Sequence, residues 1–263
     1  MPSLQADGLE IVYDTMGAGP PLVLLHGASS SGREDFAAQI PSLTKAFHLY
    51  LPDARGHGRT RWDVAEGFAQ ERLVADLEAF VDELGLRTFH LFGFSMGAMT
   101  AMRFATRHAD RLRTLILVGI TPEREPRATI ARRLMDPARI ERDDPRWAAE
   151  LSARHDPIQG VGAWQRLLPA IAAEIGVQPL LTPKDLHSIA VPTMVVCGDR
   201  DPFVPVDHAW GLARAIPRAR LLVVPDSPHE VLSRQPAVSN AALAGFYRST
   251  EVEARARAEE VLR

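Results

Sequence analysis

The stretch Phe92-Gly93-Phe94-Ser95-Met96-Gly97 decides the fold. It leaves an apolar run, Phe89 to Phe92, that reads as a strand, and enters a segment from Met96 to about His108 that reads as a helix. A serine between two glycines at such a junction has a physical purpose. The turn is so tight that the backbone at the serine is strained, and a side chain on either flank would strike neighbouring backbone. Gly93 and Gly97 remove those collisions, leaving the Ser95 hydroxyl at the end of a strand with the amide end of a new helix aimed at the same point. The spacing predicts a nucleophile elbow, and the competing reading is a tight turn with an inert serine.

Working outward, Leu22-Val23-Leu24-Leu25 is a continuous apolar run ending at His26-Gly27, and His48-Leu49-Tyr50-Leu51 ends at Pro52-Asp53. Runs apolar on both faces suit a parallel sheet covered by helices on both sides. Leu9 to Tyr13 partly alternates and is followed by Gly17, Gly19, Pro20 and Pro21, which predicts a hairpin at one sheet edge. Leu73, Leu77, Phe80, Val81 and Leu84 recur at helical spacing before Gly85. Beyond the elbow, strands are predicted over Leu112 to Ile120, Val191 to Cys197 and Arg220 to Pro225. The alternation gives the expected fold class: α/β, a mostly parallel central sheet with helices on both faces and ligands at the carboxyl ends of its strands.

Residues 121 to 189 break this pattern, with no convincing buried strand, dense arginines and acids up to Arg154, then Trp164, Leu167, Leu168, Ile171 and Ile175. The division expected is a core of 1–120 and 190–263 with a helical cap inserted at 121–189. Phe94, Trp147 and Trp164 are candidates to bind substrate, and His155 and His187 to line a pocket, although packing is the stronger reading for those in the cap. Asp53, Arg55 and His57, in the glycine-rich turn Asp53 to Thr60, read as structural. A last helix is expected from Pro236 to Phe246, with the tail from Glu251 to Arg263 as its solvated extension.

Composition narrows the partners. The 263 residues, 46% hydrophobic, can fill a sizeable core, and a net charge of −3 offers no basic field for nucleic acid. The single cysteine, Cys197, excludes an internal disulfide framework and ends an apolar strand, so it reads as a buried thiol. The first residues lack a basic-then-apolar leader, no run approaches a membrane span, and no Cys/His cluster has metal-ligand spacing. The expectation is a cytoplasmic protein, monomer or homodimer, without metal, cofactor, nucleic-acid or membrane partner.

A serine hydroxyl needs an imidazole to take its proton and a carboxylate to hold that imidazole in the right tautomer. Asp201 and His229 each follow a predicted strand, on the same side of the sheet as Ser95. His26-Gly27, Asp53-Ala54-Arg55-Gly56-His57-Gly58, Gly93 to Gly97, Gly198 to Asp201 and the late His229 together resemble the α/β-hydrolase superfamily over nearly the whole chain. The resemblance implies Ser95, Asp201 and His229 as the catalytic residues and the amides of Ala28 and Met96 as the oxyanion hole. It prefers Asp201 to Asp199, with Glu123 as a weak alternative. Serine at position 95 departs from haloalkane dehalogenases, Glu230 from carbon–carbon hydrolases and Thr100 from menaquinone-pathway lyases. What remains is similar to small bacterial esterases and lactonases, near 3-oxoadipate enol-lactonases and serine perhydrolases. The implied activity is hydrolysis of a small to medium, partly apolar ester or lactone through an acyl-serine. The alternatives are a carbon–carbon hydrolase or lyase and a receptor that retains the triad without turnover.

Overall fold

The computed structural model describes residues 2–261. Strands β1 (Ser3–Ala6), β2 (Leu9–Met16) and β3 (Pro21–Leu25) come first, then the one-turn helices α1 (Gly32–Asp35) and α2 (Ile40–Leu43). They are followed by β4 (His48–Pro52), α3 (Gln70–Glu83), β5 (Phe89–Phe94), α4 (Met96–His108) and β6 (Leu112–Val118). Five helices lead from β6 to the next strand: α5 (Arg127–Leu134), α6 (Pro137–Asp143), α7 (Pro145–Gln159), α8 (Ala163–Val177) and α9 (Pro183–His187). The chain closes with β7 (Thr193–Gly198), α10 (Val206–Ala215), β8 (Ala219–Val224), α11 (Val231–Arg234) and α12 (Pro236–Val261).

The eight strands form one sheet in the order β1-β2-β4-β3-β5-β6-β7-β8, antiparallel at β1 and β2 and parallel from β4 to β8. Alternation within the apolar runs separates two cores. Val23, Leu25, Leu91, Leu115, Leu117 and Val195 face α3 and α4, while Leu22, Leu24, Phe92, Ile116, Val118 and Val196 face Phe36 and the Leu243, Phe246 and Tyr247 stripe of α12. Every residue of β5 and of β7 is buried, as strands covered on both sides must be. After β4 the chain crosses back over β3 to lay down β5, so the strand order reverses between β3 and β5. That reversal opens a crevice at the carboxyl ends of the two strands, and the loop from Gly27 and the turn at Ser95 flank it.

The amino-terminal hairpin differs from the one expected. β2 pairs with β1 through the two-residue turn Asp7-Gly8, both at positive φ (49° and 80°), and with β4 on its other side, not with β3. Asp-Gly is a strong signal for such a turn, whereas Gly17 and Gly19 carry the chain past α2: a Cβ on Gly17 would lie 2.4 Å from the Phe47 carbonyl oxygen.

The cap helices build a third cluster from Ile140, Leu151, Trp164, Leu167, Leu168 and Ile171, seated on Leu73 and Met96 of the core. Leu186 on α9 and Ile189 instead join the sheet's own core, so the inserted chain rejoins the sheet before its last residue. The glycine-rich turn after β4 is held by charge: Arg55 grips Asp76 with two bonds of 2.6 and 2.7 Å, and Asp53 accepts from the Arg59 amide (3.0 Å) and Nε (2.6 Å). The last helix runs on to Val261, past an exposed Val252 and past Glu253, which pairs with Arg218 and Arg220. Met1, Leu262 and Arg263, at the two ends of the expected terminal segments, lie outside the described residues. Among the described residues no helix is long and apolar enough to cross a membrane.

His155, on α7, fastens the cap to this turn. It is fully buried, and its Nδ1 accepts from the Gly58 amide at 3.1 Å. Burial first, then the Arg154 charge, holds its pKa down at about 4. His57, whose ring centroid lies 5.7 Å away, is pushed well below the ordinary value, again chiefly by burial. Both histidines are therefore neutral in the folded protein at pH 7, and their contribution to stability is complete above about pH 6.5. As pH falls from 6.5 toward 4 the unfolded chain binds protons that the folded chain refuses, so stability is lost in that window. Relative to His155→Gln, the wild type is expected to lose about 2 kcal/mol more between pH 7 and 4.5, measured by urea unfolding at each pH. Parallel losses in the two proteins would refute this role for His155.

Candidate active site

Ser95 sits at φ 52° and ψ −112° between β5 and α4, a backbone state that costs a non-glycine residue about 1–3 kcal/mol. Its surroundings hold it there. The Ser95 amide donates to the Val118 carbonyl (2.8 Å) and the Gly97 amide to that of His26 (3.0 Å). A Cβ on Gly93 would lie 2.4 Å from the Gly97 carbonyl oxygen, and one on Gly97 would lie 2.1 Å from that of Leu25. Strand and helix can meet at this angle only with glycine at both positions. The strand continues two residues further than the sequence suggested, to Phe94, because β6 pairs with it as far as Val118.

His229 brings its Nε2 to 2.9 Å from the Ser95 Oγ, and its Nδ1 to 2.8 Å from Asp201 Oδ2. The network fixes the tautomer: Nδ1–H donates to the carboxylate, leaving Nε2 to accept from the serine hydroxyl. Asp201 is buried, and its other oxygen accepts from the amides of Phe203 (2.8 Å) and Val204 (3.2 Å). The imidazole lies against Phe94 and Phe203, with ring centroids 5.2 and 4.6 Å away. Asp199 turns elsewhere and accepts from the Ser227 amide at 3.2 Å. It ties the loop carrying the acid to the loop carrying the histidine. Gly198 lets those loops touch, since a Cβ there would lie 2.1 Å from the Ser227 carbonyl oxygen.

The loop after β3 is braced from below. His26 Nδ1–H donates to the Gly27 carbonyl (2.7 Å), its Nε2 accepts from the Ala54 amide (2.9 Å), and Asp35 accepts from the Gly27 amide (2.7 Å). Burial raises the Asp35 carboxyl, against the lowering by the bond from the Gly27 amide. From above, Arg154 of the cap donates to the Ser29 carbonyl at 2.7 Å and pairs with Glu34. Ala28 and Met96 both line the cavity over Ser95. The Met96 amide is the first of α4, with no carbonyl behind it in helical register.

That cavity, about 300 Å³, lies between the sheet and the cap and includes Phe94, Trp147, Met99, Leu168, Ile171 and Phe203 on its walls. Trp164 is not among its lining residues. It is 2% exposed in the cap interior with its Nε1 donating to Ser152 Oγ (2.9 Å), so its expected place at the substrate is corrected to packing. His187 is exposed on α9, and His155 serves the junction with the core. Arg127, Glu174, Gln70 and Asp35 also line the cavity. No periodicity distinguishes them in the sequence, because Arg127 and Glu174 depend on how the cap folds over the sheet, and Asp35 and Gln70 on where the loops after β3 and β4 lead. Among the described residues no group of three or more His, Cys, Asp or Glu is arranged to hold a metal ion.

A strained serine, an imidazole and a buried carboxylate stand in hydrogen-bonded series at the switch point of a parallel sheet, an arrangement able to activate a hydroxyl as nucleophile. The chain belongs to the alpha/beta hydrolase family, whose model matches residues 22–242. It is 28% identical to a non-heme haloperoxidase of Rhodococcus erythropolis, over 95% of this chain and 100% of that protein. Among solved structures, Est816, described as an N-acyl homoserine lactone degrading enzyme, is 28% identical and superposes with a TM-score of 0.75 over 93% of this chain and 100% of its own. The enol-lactonase from Burkholderia xenovorans LB400 shares the fold at 24% identity, with a TM-score of 0.76 over 94% of this chain and all of its own.

Proposed function

We propose that the protein is a serine hydrolase that cleaves a carboxylic ester or lactone through an acyl-Ser95 intermediate. The observation that carries this reading is the pair of bonds from His229 to Ser95 Oγ (2.9 Å) and to Asp201 (2.8 Å). Ser95 Oγ attacks the carbonyl carbon as its proton passes to His229 Nε2, and the Asp201 carboxylate stabilises the resulting imidazolium. The amides of Ala28 and Met96 take the negative oxygen of the tetrahedral intermediate. Its collapse breaks the carbon–oxygen bond, and the departing alkoxide takes the proton from Nε2. Water then gives a proton to Nε2, attacks the acyl carbon and releases the acid, restoring the serine. The largely apolar cavity of about 300 Å³ suits a small to medium substrate with an apolar body.

Reaction with a serine-directed fluorophosphonate, read by intact mass and peptide mapping, is expected to give one label on Ser95, slowed severely in His229→Ala. A screen of p-nitrophenyl esters, acyl homoserine lactones and vinylogous diketones then separates the bonds. Turnover confined to diketones would move the protein to the carbon–carbon hydrolases. Absence of both label and turnover would remove the enzyme reading altogether.

A further inference from the structure

We propose that Arg127 recognises an anion in the active-site cavity, and that the ester or lactone cleaved at Ser95 carries a carboxylate that bonds to its guanidinium. The inference rests on the reading of Ser95 as nucleophile and names the substrate class for that site.

Arg127 opens α5 and lines the same cavity as Ser95 and His229, yet it is only 5% exposed. The other arginines nearby have more partners, although the Nε of Arg103 is also buried without one. Arg154 pairs with Glu34 and donates to Ser29, Arg103 pairs with Glu71 at 2.8 Å and donates to the Pro179 carbonyl, and Arg124 donates to the carbonyls of Gly176 (2.5 Å) and Gln178 (3.1 Å). Arg127 has no carboxylate within ion-pair distance among the described residues. Its acceptor is a neutral one: with the Gln178 amide oxygen turned toward it, that oxygen accepts from Nη1 (3.1 Å) and Nη2 (2.8 Å). Nε is buried without a partner. A guanidinium has five N–H donors, and the only acceptor beside this one is uncharged.

A cation taken out of water without a counter-charge is costly, and nothing in the packing calls for one here. Leu134, Met135, Ile171 and Ile175 line the same cavity, and a methionine or leucine would fill such a place more cheaply. Burial and the charges of Arg103 and Arg124 pull the Arg127 pKa down to about 10, still a cation at neutral pH. Asp35 and Glu174 also line the cavity, bonded to the amides of Gly27 (2.7 Å) and Gln70 (2.9 Å), but neither is paired with Arg127, and Glu230 is exposed. The missing counter-charge therefore comes from the ligand. One guanidinium balances one negative charge in a planar geometry that matches a carboxylate, and a phosphate dianion would ask for more donors than this wall supplies.

The test compares monomethyl glutarate and monomethyl adipate with methyl hexanoate as substrates of the full-length protein in a pH-stat. The wild type is expected to prefer the half-esters. Arg127→Gln should lower the ratio of half-ester to neutral-ester kcat/KM by about 100-fold, mainly through KM, and Arg127→Lys should recover part of it by keeping the charge without the fork. A merely structural guanidinium, bracing α8 through Gln178, would lower both substrates by the same factor, and that result would overturn the proposal. If Arg127→Gln fails to fold, Arg127→Lys carries the comparison. Calorimetric binding of glutarate and adipate to Ser95→Ala, with and without Arg127→Gln, reads the anion site whatever bond is cleaved. Loss of label and of all ester turnover would sink the hydrolase reading while dicarboxylate binding still decided Arg127. Turnover with a preference for the neutral ester and no dicarboxylate binding would sink the Arg127 proposal alone.

Discussion

Replacing Ser95 by alanine is expected to lower kcat for p-nitrophenyl butyrate by about 10⁴- to 10⁶-fold. The expected size follows from what remains after the substitution. Without Oγ no acyl-enzyme forms, and water must attack a carbonyl that Ser95 held close to His229 Nε2, 2.9 Å from the lost oxygen. The imidazole and the backbone amides stay in place, so the variant retains only the orientation and oxyanion terms. Steady-state rates with freshly titrated protein measure the drop, and loss of fluorophosphonate labelling checks that the same atom is concerned. A variant within tenfold of the wild type would mean that His229 activates water directly and that the acyl-serine never forms.

Gly97→Ala is the second large effect, and it acts without touching a reacting group. Its Cβ would lie 2.1 Å from the Leu25 carbonyl oxygen and 2.6 Å from that of His26, both backbone atoms at the end of a buried strand. Neither can rotate away, so α4 must lift from β3. That movement separates the Met96 amide from the loop that carries Ala28. Losing one donor of this kind costs on the order of 10²- to 10³-fold in kcat, and the packing defect is expected to lower the thermal midpoint by several degrees. Gly245→Ala serves as control, because outside its own stretch of helix backbone no atom lies within 4 Å of the added methyl. An active, equally stable Gly97→Ala would show that the tight approach at the elbow is dispensable.

The elbow and the strand ends could be read from the sequence because their constraints are local. A glycine on each side of Ser95, an apolar run before each loop and the chain order of serine, acid and histidine are visible without coordinates. Preferring Asp201 to Asp199 needed the resemblance as well as the reach from the strand end, and the structure puts Asp201 on the imidazole and Asp199 on Ser227. The hairpin expected at Gly17 to Pro21 forms instead at Asp7-Gly8, because β4 inserts between β2 and β3 and the glycines and prolines serve a crossing loop. Trp164 and Arg127 were beyond sequence reading for another reason. Both belong to cap helices; the helical period of Trp164, Leu167, Leu168, Ile171 and Ile175 marks a buried face without saying which members meet the cavity and which pack within the cap, and nothing local marks one arginine among many as lacking a carboxylate.

Arg154 and His155 are neighbours on α7 and both reach the carbonyl of Ser29 after β3, at 2.7 and 3.4 Å, while His155 also holds the amide of Gly58 after β4. The insertion is consequently not an interchangeable module. A chimera that borrowed these helices from a relative would import a cavity wall and forfeit two anchors at once, both of which steady the backbone immediately beyond Ala28. Transplanted specificity in this scaffold would have to travel with that adjacent pair, or the graft would bind its new ligand above a slackened loop after β3.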